Sequence, residues 1–186
     1  FILPSTLGHD LAGTGFAPVA DIRAPAFTAA ECDVQARIDR LFDVNGRTPP
    51  ASFHRRLGKL LWDRCGLSRH ARGLTAALRE VESLRETFWS EVRVVGRSDR
   101  MNPELERALR VADFLELGAL MVRDALARDE SCGAHFREEH QTPEGEAMRD
   151  DGGFMHVAAW APGPEPVPHR EPLHFSLEQP TTRRYR

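Results

Sequence analysis

The chain has 186 residues, 41% of them hydrophobic and 28% charged, which is the composition of an ordinary globular domain with or without appendages. A formal net charge of −3 excludes a dedicated nucleic-acid binder, which needs a basic surface to neutralise phosphates. No apolar run approaches the roughly 20 residues of a membrane span, and three cysteines in unrelated contexts (Cys32, Cys65 and Cys132) form no disulfide framework.

Residues 1–25 have no sustained period and are broken by Pro4, Gly8, Gly13, Gly15, Pro18 and Pro25, so they read as a linker. Gly13-Thr14-Gly15 opens like a dinucleotide-binding fingerprint, but Pro18 stands at the third glycine and no strand precedes the run. The chain begins at Phe1 with no initiator methionine, which reads as a piece of a longer protein.

The first helix is predicted from Thr28, where Thr28 and Glu31 make a capping box and Phe27 a staple. Val34, Ile38, Leu41 and Phe42 give its apolar stripe, and Asn45-Gly46 ends it. Thr48-Pro49 starts a second helix lined by Phe53, Leu57, Leu60, Leu61 and Cys65 and closed by Gly66. A third is expected from about Ser68 to Val94, with Leu74, Ala77, Leu78, Val81, Leu84, Phe88 and Val92 facing inward.

The fourth helix is the longest and most regular. Asn102 is a good N-cap, and Pro103 suits the first helical position. Leu105, Ala108, Leu109, Ala112, Leu115, Ala119, Val122 and Leu126 share one face, while Val111, Phe114, Gly118, Met121 and Ala125 form a second beside it. A surface helix needs one apolar stripe, so this helix should be covered on two sides, with Gly118 admitting a close neighbour. After His140, Thr142-Pro143-Glu144-Gly145 and Asp150–Gly153 signal turns. Phe154–Trp160 and the alternation Leu173, Phe175, Leu177 predict strands, with the proline-rich stretch between them as an extended loop. The fold class expected is mainly α: an antiparallel helical bundle over residues 26–130, then a connector and a small β appendage over 131–186.

Between the last helix and the appendage, RDESCGAHFREEH is too polar for a core. Cys132, His135 and His140 follow no common zinc spacing, and Asp129, Ser131 and His135 lack the strand–turn–helix elbow of a serine nucleophile. Glu130, Ser131, His135 and Arg137 are the structural or interface candidates. The planar fork of Arg137 suits a buried carboxylate, with Glu130 the first-choice partner and Glu138 and Asp151 the alternatives.

This run, with Arg128, Glu130, Ser131, Gly133, His135, Arg137 and Glu138 in an R-x-E-S-x-G-x-H-x-R-E register after the DFLEL segment of the long helix, resembles the carboxy-terminal part of the succinate dehydrogenase and fumarate reductase flavoproteins. Cys132 stands where many relatives carry arginine. The resemblance implies an oxidoreductase of succinate and fumarate in which FAD is bound by an absent upstream domain and electrons leave through an iron–sulfur subunit toward quinone. It implies as partners that FAD-binding domain, the iron–sulfur subunit and membrane-anchor subunits. The place implied is the inner face of a bacterial plasma membrane, reached through those partners without direct insertion. The family's catalytic and flavin-linked positions lie upstream of the matched segment, so no catalytic, cofactor-binding or metal residue is assigned. Two other readings stay open: the carboxy-terminal domain of an L-aspartate oxidase-type flavoenzyme, and a stand-alone helical interaction module.

Overall fold

The computed structural model describes residues 21–161, 163, 165–177 and 181. The linker glycines of residues 1–20 and the terminal RRYR therefore lie outside the described residues. The chain divides into two compact units, Phe1–Asp39 and Arg40–Arg186.

Helix α1 spans Pro25–Val44 and starts earlier than the Thr28 capping box predicts. Proline at the first helical position has its φ preset and loses no hydrogen bond there, so the helix begins on Pro25 and Thr28 lies within it. Val34 of the predicted stripe is 58% exposed, and the one buried residue of α1 is Leu41, in its last turns.

Helix α2 (Pro50–Arg64), the two-residue strand β1 (Ser68–Arg69), helix α3 (Ala71–Glu91) and helix α4 (Pro103–Ala127) follow. The α1–α2 loop is fixed against the end of α3, where Arg47 and Thr48 donate to Glu91 O and Arg93 donates back to Thr48 O. Asn45 takes the left-handed conformation there (φ 41°). A Cβ on Gly46 would lie 2.0 Å from Glu91 O, so only glycine fits this crossing.

The three helices α2, α3 and α4 share one core. Ion pairs Arg85–Glu116 and Arg123–Glu82 run α3 antiparallel to α4, and the Thr48↔Val92 bridge joins the start of α2 to the end of α3. Phe53 and Phe88 meet edge to face at 5.2 Å inside, and Leu74, Ala77, Val122 and Ala125 form a fully buried cluster near the other end. Asn102 caps α4 as expected, accepting from the N–H groups of Glu104 and Leu105. The two-sided burial of α4 also forms: Leu115 is wholly buried on one face, and Leu57 of α2 comes within 3.2 Å of where a Gly118 Cβ would stand on the other. The second face is covered only in part, because Phe114 and Met121 remain 39% and 50% exposed.

Beyond α4 come strand β2 (Phe136–Arg137), the single-turn helix α5 (Asp151–Phe154), and strands β3 (His156–Ala161) and β4 (Val167–Pro172). β3 and β4 form a two-stranded antiparallel sheet, the β appendage on a mainly α fold. Its second strand is not where alternation places it. The Leu173–Leu177 stretch carries no strand, and β4 runs instead through the proline-rich segment expected as a loop. Leu173 N–H donates to Met155 O, so odd-numbered residues turn their N–H groups toward β3. Pro168 and Pro172 are therefore on the outward parity, where a missing donor breaks no ladder bond on an edge strand.

Candidate functional site

The polar run after α4 folds into a connector that closes the end of the bundle. Its first step is a two-residue turn: Cys132 and His135 exchange both backbone hydrogen bonds, and Gly133 between them adopts φ 60°, a conformation that favours glycine. The turn sends the chain back so that β2 pairs in parallel with β1, Ser68 opposite Phe136 and Arg69 opposite Arg137. Glu138 extends this pairing, its N–H donating to Arg69 O while its carboxylate accepts from Ser68 Oγ at 2.8 Å.

Arg137 is 2% exposed, the largest fully buried side chain among the described residues. Its Nη1 donates to the carbonyls of Ala125, Leu126 and Arg128 at 3.2–3.3 Å. These are the last carbonyls of α4, which have no partner within the helix and carry its negative dipole end. Nη2 donates to Asp129 Oδ1 at 3.0 Å and Nε to Glu139 Oε2 at 3.3 Å. The expectation of a buried, carboxylate-paired arginine holds, but its first-choice partner does not. Glu130 instead accepts from Arg128 Nε at 2.9 Å, with Nη2 at 2.8 Å completing the ion pair, and from the Asp150 N–H at 2.9 Å. The alternatives are committed too, Glu138 to Ser68 and Asp151 to Arg149. Backbone direction decides the swap: Glu130 turns inward toward Asp150 and is 2% exposed, leaving Asp129, 61% exposed, to reach Arg137 from the rim.

Ser131, wholly buried, ties the connector to itself. Its Oγ accepts the Arg137 N–H at 2.8 Å and donates to Arg137 O at 3.1 Å, while its own N–H donates to Met148 O. His135 Nε2 donates to Arg128 O at 2.8 Å, the same carbonyl that Arg137 Nη1 reaches. Burial, together with the nearby charges of Arg69, Arg137 and Arg128, holds the His135 pKa below its ordinary value, opposed only by that carbonyl bond. Ser131 and His135 are therefore spent on backbone partners and form no nucleophile–base pair. His140 Nε2 lies 2.8 Å from Asp129 Oδ1. Among the described residues no three of His, Cys, Asp and Glu are grouped to hold a metal ion.

Four contacts that sequence reasoning missed complete the arrangement. Glu139 Oε1 accepts the first N–H of α3, from Ala71, at 2.6 Å, and His70 Nδ1 accepts from Gly73 at 3.0 Å. Trp160 of β3 donates to Asp124 Oδ1 of α4 at 2.8 Å, and Arg128 Nη2 donates to Phe154 O. The connector thus ties the C-terminal end of α4 to the N-terminal end of α3, with the appendage fastened alongside. The only sequence signal for these contacts is residue type, since the partners stand 26 to 68 positions apart except for the local His70 cap.

Such an arrangement defines a helical domain closed by a buried-arginine clasp. A protein-family profile described as the fumarate reductase flavoprotein C-terminus matches residues 54–185. A fumarate reductase flavoprotein subunit from Serratia sp. (strain ATCC 39006) is 29% identical over 153 residues, covering 82% of this chain and 25% of that protein. A solved quinol-fumarate reductase with menaquinol molecules aligns at a TM-score of 0.71 with 23% identity, covering 90% of this chain and 28% of that one. Mycobacterium smegmatis Sdh1 in complex with UQ1 aligns at 0.67 with 20% identity, covering 81% of this chain and 25% of its own; these two structures speak for the fold. The chain belongs to the family of fumarate reductase flavoprotein C-terminal domains. It spans about a quarter of the length of the relatives it matches.

Proposed function

We propose that this chain serves as the carboxy-terminal helical domain of a succinate dehydrogenase or fumarate reductase flavoprotein subunit, and that its own task is structural support and docking. Residues 26–130 supply the bundle and 131–186 the connector and appendage. The observation that carries this reading is the use made of the signature run. Arg128, Glu130, Ser131, Gly133, His135, Arg137 and Glu138 are each engaged in building the connector or in fastening it to the end of α4 and to β1.

In the whole protein so proposed, FAD held by other parts of the subunit would supply the hydride chemistry between succinate and fumarate, and an iron–sulfur subunit would link the flavin to quinone. The connector does not fit FAD. Its polar groups are bound to one another, and no described side-chain nitrogen or oxygen is both buried and unpartnered. We therefore assign FAD, the iron–sulfur partner and the membrane anchors to contacts of the larger protein. No helix among the described residues is long and apolar enough to cross a membrane.

The test has two arms. The purified 186-residue chain should show no flavin absorbance and no succinate-dependent dye reduction. Substituted for the matching quarter of the Serratia subunit, it should give a chimera that retains FAD and reduces fumarate with a reduced dye. A flavin band in the isolated chain would defeat the division of labour, and a folded chimera that loses flavin would defeat the domain assignment.

A further inference from the structure

Two open grooves of about 550 and 540 Å³ adjoin along α2 and the start of α3, sharing Asp63 and Arg64 in their walls. Together they are lined by six cationic side chains, Arg55, Arg56, Lys59, Arg64, Arg69 and Arg72, against the carboxylates Asp63, Glu80 and Glu138. The carboxylates are already engaged: Asp63 with Lys59 at 2.8 Å, Glu80 with Arg64 at 2.8 Å and Glu138 with Ser68 Oγ at 2.8 Å. Arg55 and Arg56 are exposed, one reaching only Ser52 Oγ at 3.4 Å and the other lying over the Phe53 ring at 5.9 Å. Arg72 is exposed on the second groove, and Arg69 donates to Gly66 O rather than to a carboxylate. A chain of net charge −3 thus carries a continuous strip with a surplus of positive charge on one side of its bundle.

We propose that this strip is a docking surface for an acidic polypeptide segment of a partner. Guanidinium groups without carboxylate partners bind carboxylates bidentately, and a polar rim of this kind steers encounter. The interspersed Asp63, Glu80 and Glu138 favour a polypeptide over a nucleic acid, since a polynucleotide would bring a phosphate to every step of its backbone and set some against those carboxylates. The proposal extends the docking role above by naming the chemistry of what docks. It is read by binding to the chain alone, so its failure would leave the family assignment and the chimera experiment untouched.

The test is fluorescence anisotropy of a labelled oligoglutamate peptide titrated with the full chain at low ionic strength. Binding is expected to weaken as salt is added, and to fall about tenfold or more in the triple variant Arg55→Glu, Arg56→Glu, Arg72→Glu. A control with the same charge change on exposed residues elsewhere, Arg97→Glu, Arg107→Glu, Arg110→Glu, should keep most of the affinity. Backbone NMR shifts of the unaltered chain on adding the peptide should centre on α2 and the start of α3, which reads the site without any variant. No binding, equal loss in both variants, shifts centred elsewhere, or tighter binding of a single-stranded oligonucleotide of equal charge would each overturn the proposal.

Discussion

At the scale of single residues, Arg137 shows why its ion pairs are the lesser part of its contribution. Asp129 and Glu139 are 61% and 41% exposed, so each pair is partly solvated and is worth about 1 kcal/mol or less. The helix-end carbonyls are different: Arg128 O keeps its bond from His135, but removing the guanidinium takes the donor from Ala125 O and Leu126 O, at about 1–3 kcal/mol for such a group. Arg137→Ala is therefore expected to cost about 3–5 kcal/mol in urea unfolding of the full chain, and Asp129→Asn about 1 or less. Equal losses would mean that the ion pair dominates. His135 adds a pH dependence of definite sign. Its lowered pKa means that the unfolded chain takes up the proton first, so stability is full above about 6.5 and declines as pH falls below that, down to the folded-state value. Unfolding melts across that window should show a smaller acid loss in His135→Gln, whose side-chain amide can still donate to Arg128 O. An unchanged pH profile would place the acid sensitivity elsewhere.

At the scale of elements, the helices were legible and the connections were not. α4 could be read from Asn102, Pro103 and an unbroken apolar period because a helix buries residues at a fixed local spacing. β4 could not, since strand signals count proline as a breaker, and what rescues Pro168 and Pro172 is the parity of an edge strand. The β1–β2 pairing was invisible for another reason: two residues per strand, Ser68–Arg69 and Phe136–Arg137, leave no period to detect. The candidate residues Glu130, Ser131, His135 and Arg137 were identifiable by type and motif. Arg137's partner was not, since adjacent Asp129 and Glu130 differ only in which way the backbone turns them. Packing leads to three expectations for urea melts. Leu115→Ala, at a wholly buried position, should cost about 2–5 kcal/mol. Gly46→Ala should destabilise strongly through its contact with Glu91 O. Gly58→Ala, inside α2 with nothing within 4 Å of the added carbon, should stabilise by about 0.5–1 kcal/mol. A neutral Gly46→Ala would show that the α1–α2 crossing relaxes.

At the scale of the molecule, the clasp makes one folding unit of parts that are distant in sequence. Without it, the C-terminal end of α4 and the N-terminal end of α3 would each expose unpaired backbone groups, and the connector would have no regular structure to hold it. The signature residues are then a condition for the connector and the ends of α3 and α4 to open as one unit. Native-state hydrogen exchange on the full chain tests this most directly. The amides of Ser131 and Arg137, bound to Met148 O and to Ser131 Oγ, are predicted to open with the same free energy as core amides of α4 such as those of Leu115 and Val122. If Ser131 and Arg137 exchange through a separate, low-energy opening while α4 stays protected, the connector is an ornament on the bundle and the clasp account is wrong.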